Sequence, residues 1–235
     1  MKTLKFNPRS AGILYLILII TGIYAQFFVR STLILPGNAP ATANKIVNSE
    51  MLFRIGIASD LIMIICDVGL AVIFYFLLKS VSNSLSLLAA FFRLIQAAIL
   101  GVNLLNLFCV LQLVSGENFL NEFKPAQLNA LVLLFLNIHN IGYSIGLVFF
   151  GFNCLILGYL IYKSGYIPKT LGVLLLFASI GYLIDSFTNV LLPNYKSYQD
   201  IFTIVVFVPA LIAELSLSLW LLFRGSKIPE INYSY

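Results

Sequence analysis

Seven ionisable side chains stand inside, or at the edges of, long apolar blocks of this sequence: Arg54, Asp60, Asp67, Arg93, His139, Asp185 and Glu214. In hydrocarbon each costs about 2.5 to 3.5 kcal/mol on insertion scales, so each must face a partner, water or the interior of a bundle. Their types allow three kinds of chemistry. Opposite charges at matching depth pair, an acid beside a histidine exchanges protons, and converging charges with amides hold a small polar ligand.

Spacing divides them into two groups. Asp67 lies about 12 residues before the turn at Lys79, and Arg93 about 9 residues after that turn ends at Ser84. Consecutive helices would then carry opposite charges at nearly equal depth, which predicts an Asp67 to Arg93 ion pair. Glu214 lies at a similar distance from the end of the last apolar block and could join it. Asp60 precedes Asp67 by two helical turns on the same face. Toward the other end, Asp60, His139 and Asp185 fall at comparable depth, with Arg54 above them and the amides Asn103, Asn106, Asn140 and Asn189 on neighbouring blocks. Asp185 and Asn189 share a face at four-residue spacing, as do His139 and Tyr143. Arg54, Asp60, His139, Asp185 and Asn189 are thus the candidate lining of an outward-facing polar pocket.

The elements that must position these groups follow from composition. Of 235 residues, 60% are hydrophobic and 10% charged, against about 25% charged in a soluble domain. The apolar residues form blocks of roughly 20 or more, enough to cross about 30 Å of hydrocarbon. Lipid leaves no partner for a free backbone N–H or C=O, and these blocks are continuous rather than alternating, so the spans are helices. Six are expected, at about 11–29, 51–78, 85–114, 128–162, 170–192 and 201–223. The fold class is an all-α, polytopic bundle of six transmembrane helices, one domain over 1–235. The first block has no small-x-small cleavage site before Arg30 and reads as a retained helix. The fourth is too long for one span, and a break is expected near Asn137 to Gly142.

Local signals fill in the connections. Pro36-Gly37-Asn38-Ala39-Pro40 marks a turn, followed by one or two helical turns over 42–48 at the interface, and Ser49 caps the second span. Gly165 and Pro168 define a tight hairpin, Pro209 should kink or loosen the sixth span, and Gly142 with Gly146 allows close helix approach. Alternation places Lys2, Lys5, Arg9, Lys79, Lys163, Lys169, Arg224 and Lys227 on one side, against Arg30, Lys45, Lys124 and Lys196 on the other. The richer side is cytoplasmic by the positive-inside rule, which puts both termini there.

Several functions are excluded. The formal charge of +5 sits at helix ends, where topology accounts for it, so no nucleic-acid partner is expected. One histidine and three scattered cysteines, Cys66, Cys109 and Cys154, supply neither a zinc site nor a bis-histidine haem, and no metal or cofactor is expected. No phosphate loop, dinucleotide fingerprint or nucleophile elbow appears in its required context.

Several short stretches occur in a telling order: Arg9-Ser10-Ala11-Gly12 with Leu14-Tyr15-Leu16, Ser49-Glu50, Phe53-Arg54-Ile55-Gly56, Phe92-Arg93, Gly158-Tyr159-Leu160, then Ser164-Gly165-Tyr166-Ile167-Pro168-Lys169-Thr170-Leu171-Gly172 and Gly181-Tyr182-Leu183. In these the chain resembles the bacterial multi-pass membrane family catalogued as domain of unknown function 4386. The resemblance covers most of the chain and implies a bacterial inner-membrane protein, with Arg54 and Arg93 among the family-like positions. It implies no activity. Three functional readings remain: a bundle that binds or passes a small solute, ion or lipid headgroup through the outward pocket; a structural or interaction protein whose polar residues fix helix register; and an intramembrane enzyme built on His139 and an acid. The bilayer is the one partner all three share.

Overall fold

The computed structural model describes residues 7–195 and 198–227, which form helices and no strand. Helix α1 (Pro8–Leu33) is followed by a short α2 (Ala39–Asn48), then α3 (Glu50–Leu78), α4 (Asn83–Leu113), α5 (Pro125–Ser164), α6 (Lys169–Leu191) and α7 (Gln199–Arg224). All but α2 are long and apolar enough to cross a membrane. Large apolar side chains point outward from them, Ile65 and Phe223 at 69% exposure each and Leu105 at 62%. Surface of that kind requires lipid, and the protein is a multi-pass membrane protein.

Helix ends follow the sequence signals. Asn7 caps α1 by accepting from Arg9 N at 3.0 Å, with Pro8 in the first turn. Ser82 does the same for α4 through Leu85 N at 3.4 Å. Ser49 occupies the cap of α3 as expected, but its side chain makes no capping bond. Gly165 ends α5 with φ of +74°, a conformation that favours glycine, and Pro168 then starts α6. The expected turns over 42–48 form as part of α2, whose Thr42, Ala43 and Ile46 are buried. Helix α7 runs through Pro209, which supplies no N–H to the Val205 carbonyl.

Two expectations are corrected. Helix α5 is unbroken over its 40 residues. No proline interrupts it after Pro125, and its flank near Gly142 is filled by Asn103 of α4, whose Nδ2 donates to the His139 carbonyl at 2.8 Å. Helix α1 does not stop at Val29: it widens into a π-helix over Tyr24–Arg30 and closes with an α-turn at Ser31–Leu33. Arg30, which the charge count assigns to an outer loop, is 7% exposed.

The spans form a closed ring in which α1 packs on α3, each later helix on the next, and α7 back on α1. Arg9 Nη2 donates to Ser226 Oγ at 3.1 Å, so both described ends lie on one face, here called the terminal face. The seams are tight. A methyl group on Gly12 would stand 2.5 Å from Leu222 N, and one on Gly172 would stand 2.6 Å from the Gly158 carbonyl oxygen. One apolar core fills the ring toward the terminal face, around Tyr15, Leu70, Leu157 and Leu217. A second seals the opposite end, where Ile46 of α2 packs with Val29, Phe53, Leu107 and Val132.

Candidate functional site

Within the first of these cores every span delivers a polar side chain to one layer. Helix α1 supplies Tyr15, α3 Asp67, α4 Arg93 and Gln96, α5 Asn153, α6 Tyr182 and α7 Glu214. Arg93 is fully buried and lies at the centre. Its Nε donates to Asp67 Oδ1 at 2.9 Å. Its Nη2 is 2.8 Å from the same oxygen but off the hydrogen-bonding direction, so that nitrogen has no acceptor of its own. Gln96 Nε2 donates to the other Asp67 oxygen at 3.1 Å, and Arg93 Nη1 reaches Asn153 Oδ1 at 3.4 Å. Asn153 Nδ2 donates to the Ala89 carbonyl at 2.8 Å, which ties α5 to α4.

Aromatic faces complete the environment of the guanidinium, which lies 5.2 Å from the ring centre of Tyr15, 5.3 Å from that of Phe150 and 6.0 Å from that of Phe74. A delocalised cation is attracted to such faces most where water is excluded. Glu214, 6% exposed, accepts from the Tyr182 hydroxyl at 2.6 Å and interacts electrostatically with Arg93. Among the described residues Glu214 makes no salt bridge. The Tyr15 hydroxyl lies in the field of Arg93, and Gln96 Oε1 is buried without a hydrogen-bond partner. From Arg93 and Asn153 a cavity of about 10 Å³ extends toward Tyr75, Leu78 and Ser86 near the terminal face.

The second group gathers differently from the expected pocket. Asp60, 2% exposed, pairs with Arg30 Nη1 at 2.5 Å through Oδ2, while its Oδ1 has no partner. Gln26 Oε1 accepts from Arg30 Nε at 2.8 Å across the π-helical turn, whose wider register swings the arginine into the ring. His139 is buried beside Tyr143, ring centres 6.3 Å apart, and lies in the field of Arg30. Asn106 donates to the Asn103 carbonyl oxygen and to its side-chain oxygen, at 3.1 and 3.0 Å.

The remaining candidates lie elsewhere. Arg54 is half exposed and pairs with Glu50 on its own helix at 2.7 Å, because its position on α3 faces away from the ring. Asp185 is half-buried and accepts from the Tyr195 hydroxyl at 2.6 Å. Burial, and the bond to Asp185, push the Tyr195 hydroxyl above the ordinary tyrosine range. Asn189 Nδ2 donates to Ser144 Oγ at 2.6 Å. Of Arg54, Asp60, His139, Asp185 and Asn189, the structure brings Asp60 and His139 together around Arg30, while Arg54, Asp185 and Asn189 have their hydrogen-bond or ion-pair partners in Glu50, Tyr195 and Ser144. No group of three or more His, Cys, Asp or Glu side chains that could hold a metal occurs among the described residues.

Sequence reasoning overlooked Arg30, Gln26, Tyr15, Gln96 and Asn153. Gln96 was accessible, three residues after Arg93 on its face, and Asn153 is an amide deep in the fourth block. The π-helical turn that turns Arg30 inward has no sequence signal of this kind.

Fold and site define a closed membrane bundle of six spans with a buried polar centre to which all six contribute and three bring a charge. A family model described as Domain of unknown function (DUF4386) matches residues 10–225, and the chain belongs to that family. An uncharacterized protein of Archaeoglobus fulgidus is 34% identical over 170 residues, covering 72% of this chain and 83% of the relative. No solved structure matches the chain.

Proposed function

We propose that this protein binds and passes a small cation, with its binding centre in the central layer rather than in an outward pocket, and with Glu214 as the accepting group. One observation carries the reading: all six spans give a polar side chain to one layer, whereas helix register needs only a pair. Buried amides and ion pairs that serve as interhelical glue are worth about 0.6 kcal/mol apiece on average. A third charge, Glu214, held by a hydroxyl and not by a salt bridge, exceeds that need. Intramembrane carboxylates that face a bundle interior commonly mark ion or proton pathways.

The reading extends to topology. The terminal face carries Arg9, Lys79, Lys163, Lys169 and Arg224, which supports a cytoplasmic placement in a bacterial inner membrane. A register-fixing role is the second reading, favoured by the bonds from Asn103 and Asn153 to carbonyls across the α4–α5 seam.

The test is cation-dependent stability and flux in purified, reconstituted protein. Glu214→Gln keeps an acceptor for Tyr182 and removes only the titratable charge. Loss of flux and of cation- or pH-dependent melting in this variant supports the proposal. Wild-type behaviour in both would leave the register role standing alone.

A further inference from the structure

We infer that water reaches the central layer from the terminal face, through the cavity where α3, α4 and α5 meet, and that one molecule held there bridges Arg93 and Asn153. The inference goes beyond the reading above and holds whether or not an ion crosses. Two observations of different kinds carry it. The first is space: the cavity ends on Arg93 and Asn153, and its volume of about 10 Å³ is what a single water needs. The second is incomplete bonding at the same two residues. Arg93 Nη2 is buried without a hydrogen-bond acceptor, and the Arg93 Nη1 to Asn153 Oδ1 contact is long at 3.4 Å.

A buried water needs at least two polar partners. Here it accepts from the guanidinium and donates to Asn153 Oδ1, whose orientation is fixed because Asn153 Nδ2 is committed to the Ala89 carbonyl at 2.8 Å. An apolar guest would leave the guanidinium nitrogen unpaired, and a metal cation would meet a like charge. A neutral acceptor the size of water satisfies both the volume and the chemistry.

The route outward is visible in the walls. Ala71 of α3 and Ala89 and Ala90 of α4 leave the space open by being small. Ser86, seven residues and about 10.5 Å of rise from Arg93, is the polar lining group nearer the terminal face, and its hydroxyl donates to the Tyr75 carbonyl at 3.0 Å. Tyr75 is partly exposed where its neighbours Phe74 and Leu78 are buried, so the mouth lies on its side. One exposed hydrogen bond, from the Tyr75 hydroxyl to Asn83 Oδ1 at 3.0 Å, ties that side chain to the start of α4. Tyr75 is thus the gate through which water exchanges. The opposite end is closed by Val29, Phe53, Leu107 and Val132, each 1% exposed, which makes the access one-sided.

The experiment is hydroxyl-radical labelling of the purified full-length chain in nanodiscs by millisecond X-ray radiolysis, read residue by residue in a mass spectrometer. Radicals born from a buried water mark the side chains beside it. Phe74, in the cavity wall, and Phe53, in the opposite seal, are the same residue type at 5% and 1% exposure, and Phe74 should label at least tenfold faster. Ala71→Val, which fills the cavity, should bring Phe74 down to the Phe53 rate. Tyr75→Ala, which removes the gate, should raise it, and Val132→Ala, which thins the opposite seal, should leave it unchanged, with Trp220 fluorescence reporting the fold of each variant. Equally slow labelling of Phe74 and Phe53 in the wild-type protein, a comparison that needs no variant, overturns the water site. Fast Phe74 labelling that survives Ala71→Val overturns its place in this cavity. Labelling that responds to Val132→Ala and not to Tyr75→Ala overturns entry from the terminal face.

Discussion

Exchanging the two charges at the centre, Asp67→Arg with Arg93→Asp, should not restore the stability that either single change removes. Stripping one partner from a buried ion pair costs about 3 to 5 kcal/mol, because the other charge stays buried and uncompensated. Arg93→Met leaves Asp67 with Gln96 alone, and Asp67→Asn leaves the guanidinium with Asn153 at 3.4 Å, three ring faces and the more distant charge of Glu214. If attraction between opposite charges were all that mattered, the exchanged pair would recover the loss. The surroundings are unequal, however. Tyr15, Phe150 and Phe74 attract a cation and repel an anion, at about 1 kcal/mol for each close ring. The Gln96 Nε2 that donates to Asp67 would face a guanidinium, and the Asn153 Oδ1 that accepts from Arg93 would face a carboxylate.

The exchanged protein should therefore remain at least about 2 kcal/mol below wild type from the two nearer rings alone, before the amide mismatches are counted. The neutral pair Asp67→Asn with Arg93→Met should recover more, since neither position then carries a buried charge without its partner. Denaturation in mixed micelles, followed by the fluorescence of Trp220 and by circular dichroism, gives the four free energies of the cycle. Recovery of the exchanged pair to within about 0.5 kcal/mol of wild type would refute the reasoning, because the rings and amides would then contribute nothing specific to Arg93.

Three further outcomes are expected. Gly12→Ala should lower the melting temperature by loosening the α1–α7 seam, at about 1 to 3 kcal/mol, since the added methyl meets the backbone of Leu222 and Ser218, which cannot rotate away. Arg54→Ala should change stability by less than about 0.5 kcal/mol in the same assay, as an exposed pair on one helix contributes little. Tyr166 and Tyr195, both raised by burial, should ionise later than the exposed tyrosines. A raised folded value means that, on the alkaline side, the Tyr195 to Asp185 bond begins to be lost only as the pH climbs through the folded tyrosine value. Phenolate absorbance against pH checks this, and replacing Tyr195 with Phe should remove the late-titrating component it supplies.

How much of this was legible in the sequence depends on what each residue's neighbours are. Depth can be counted along a helix, and the Asp67 to Arg93 distance of 2.8 Å follows from matching depths on two helices joined by a short turn. The direction a side chain faces around its helix cannot be counted so simply once helix positions in the ring are unknown. Arg54 is six residues from Asp60, so on a regular helix the two diverge by about 120° in azimuth, and only Asp60 faces inward. Counting the same spacing with equal weight on depth and direction would have separated them.

Arg30 is the opposite case. Its place after the first apolar run suggested a loop, and a regular α-helix continued past Ile23 would aim position 30 differently. The π-turn over Tyr24–Arg30 adds a register shift, and Gln26 and Asp60 hold the result at 2.8 and 2.5 Å. A π-turn forgoes good helical geometry and persists where surrounding contacts favour it. Here the contact is a charge pair sealed under α2 in the ring's second core. Asp60 could have been neutralised more simply by an apolar replacement, since a well-packed apolar substitute for a buried pair is often neutral or stabilising. An irregular backbone together with a buried pair is a combination that stability alone does not require, and it places Arg30 where its charge bears on Asp60, His139 and Tyr143 together.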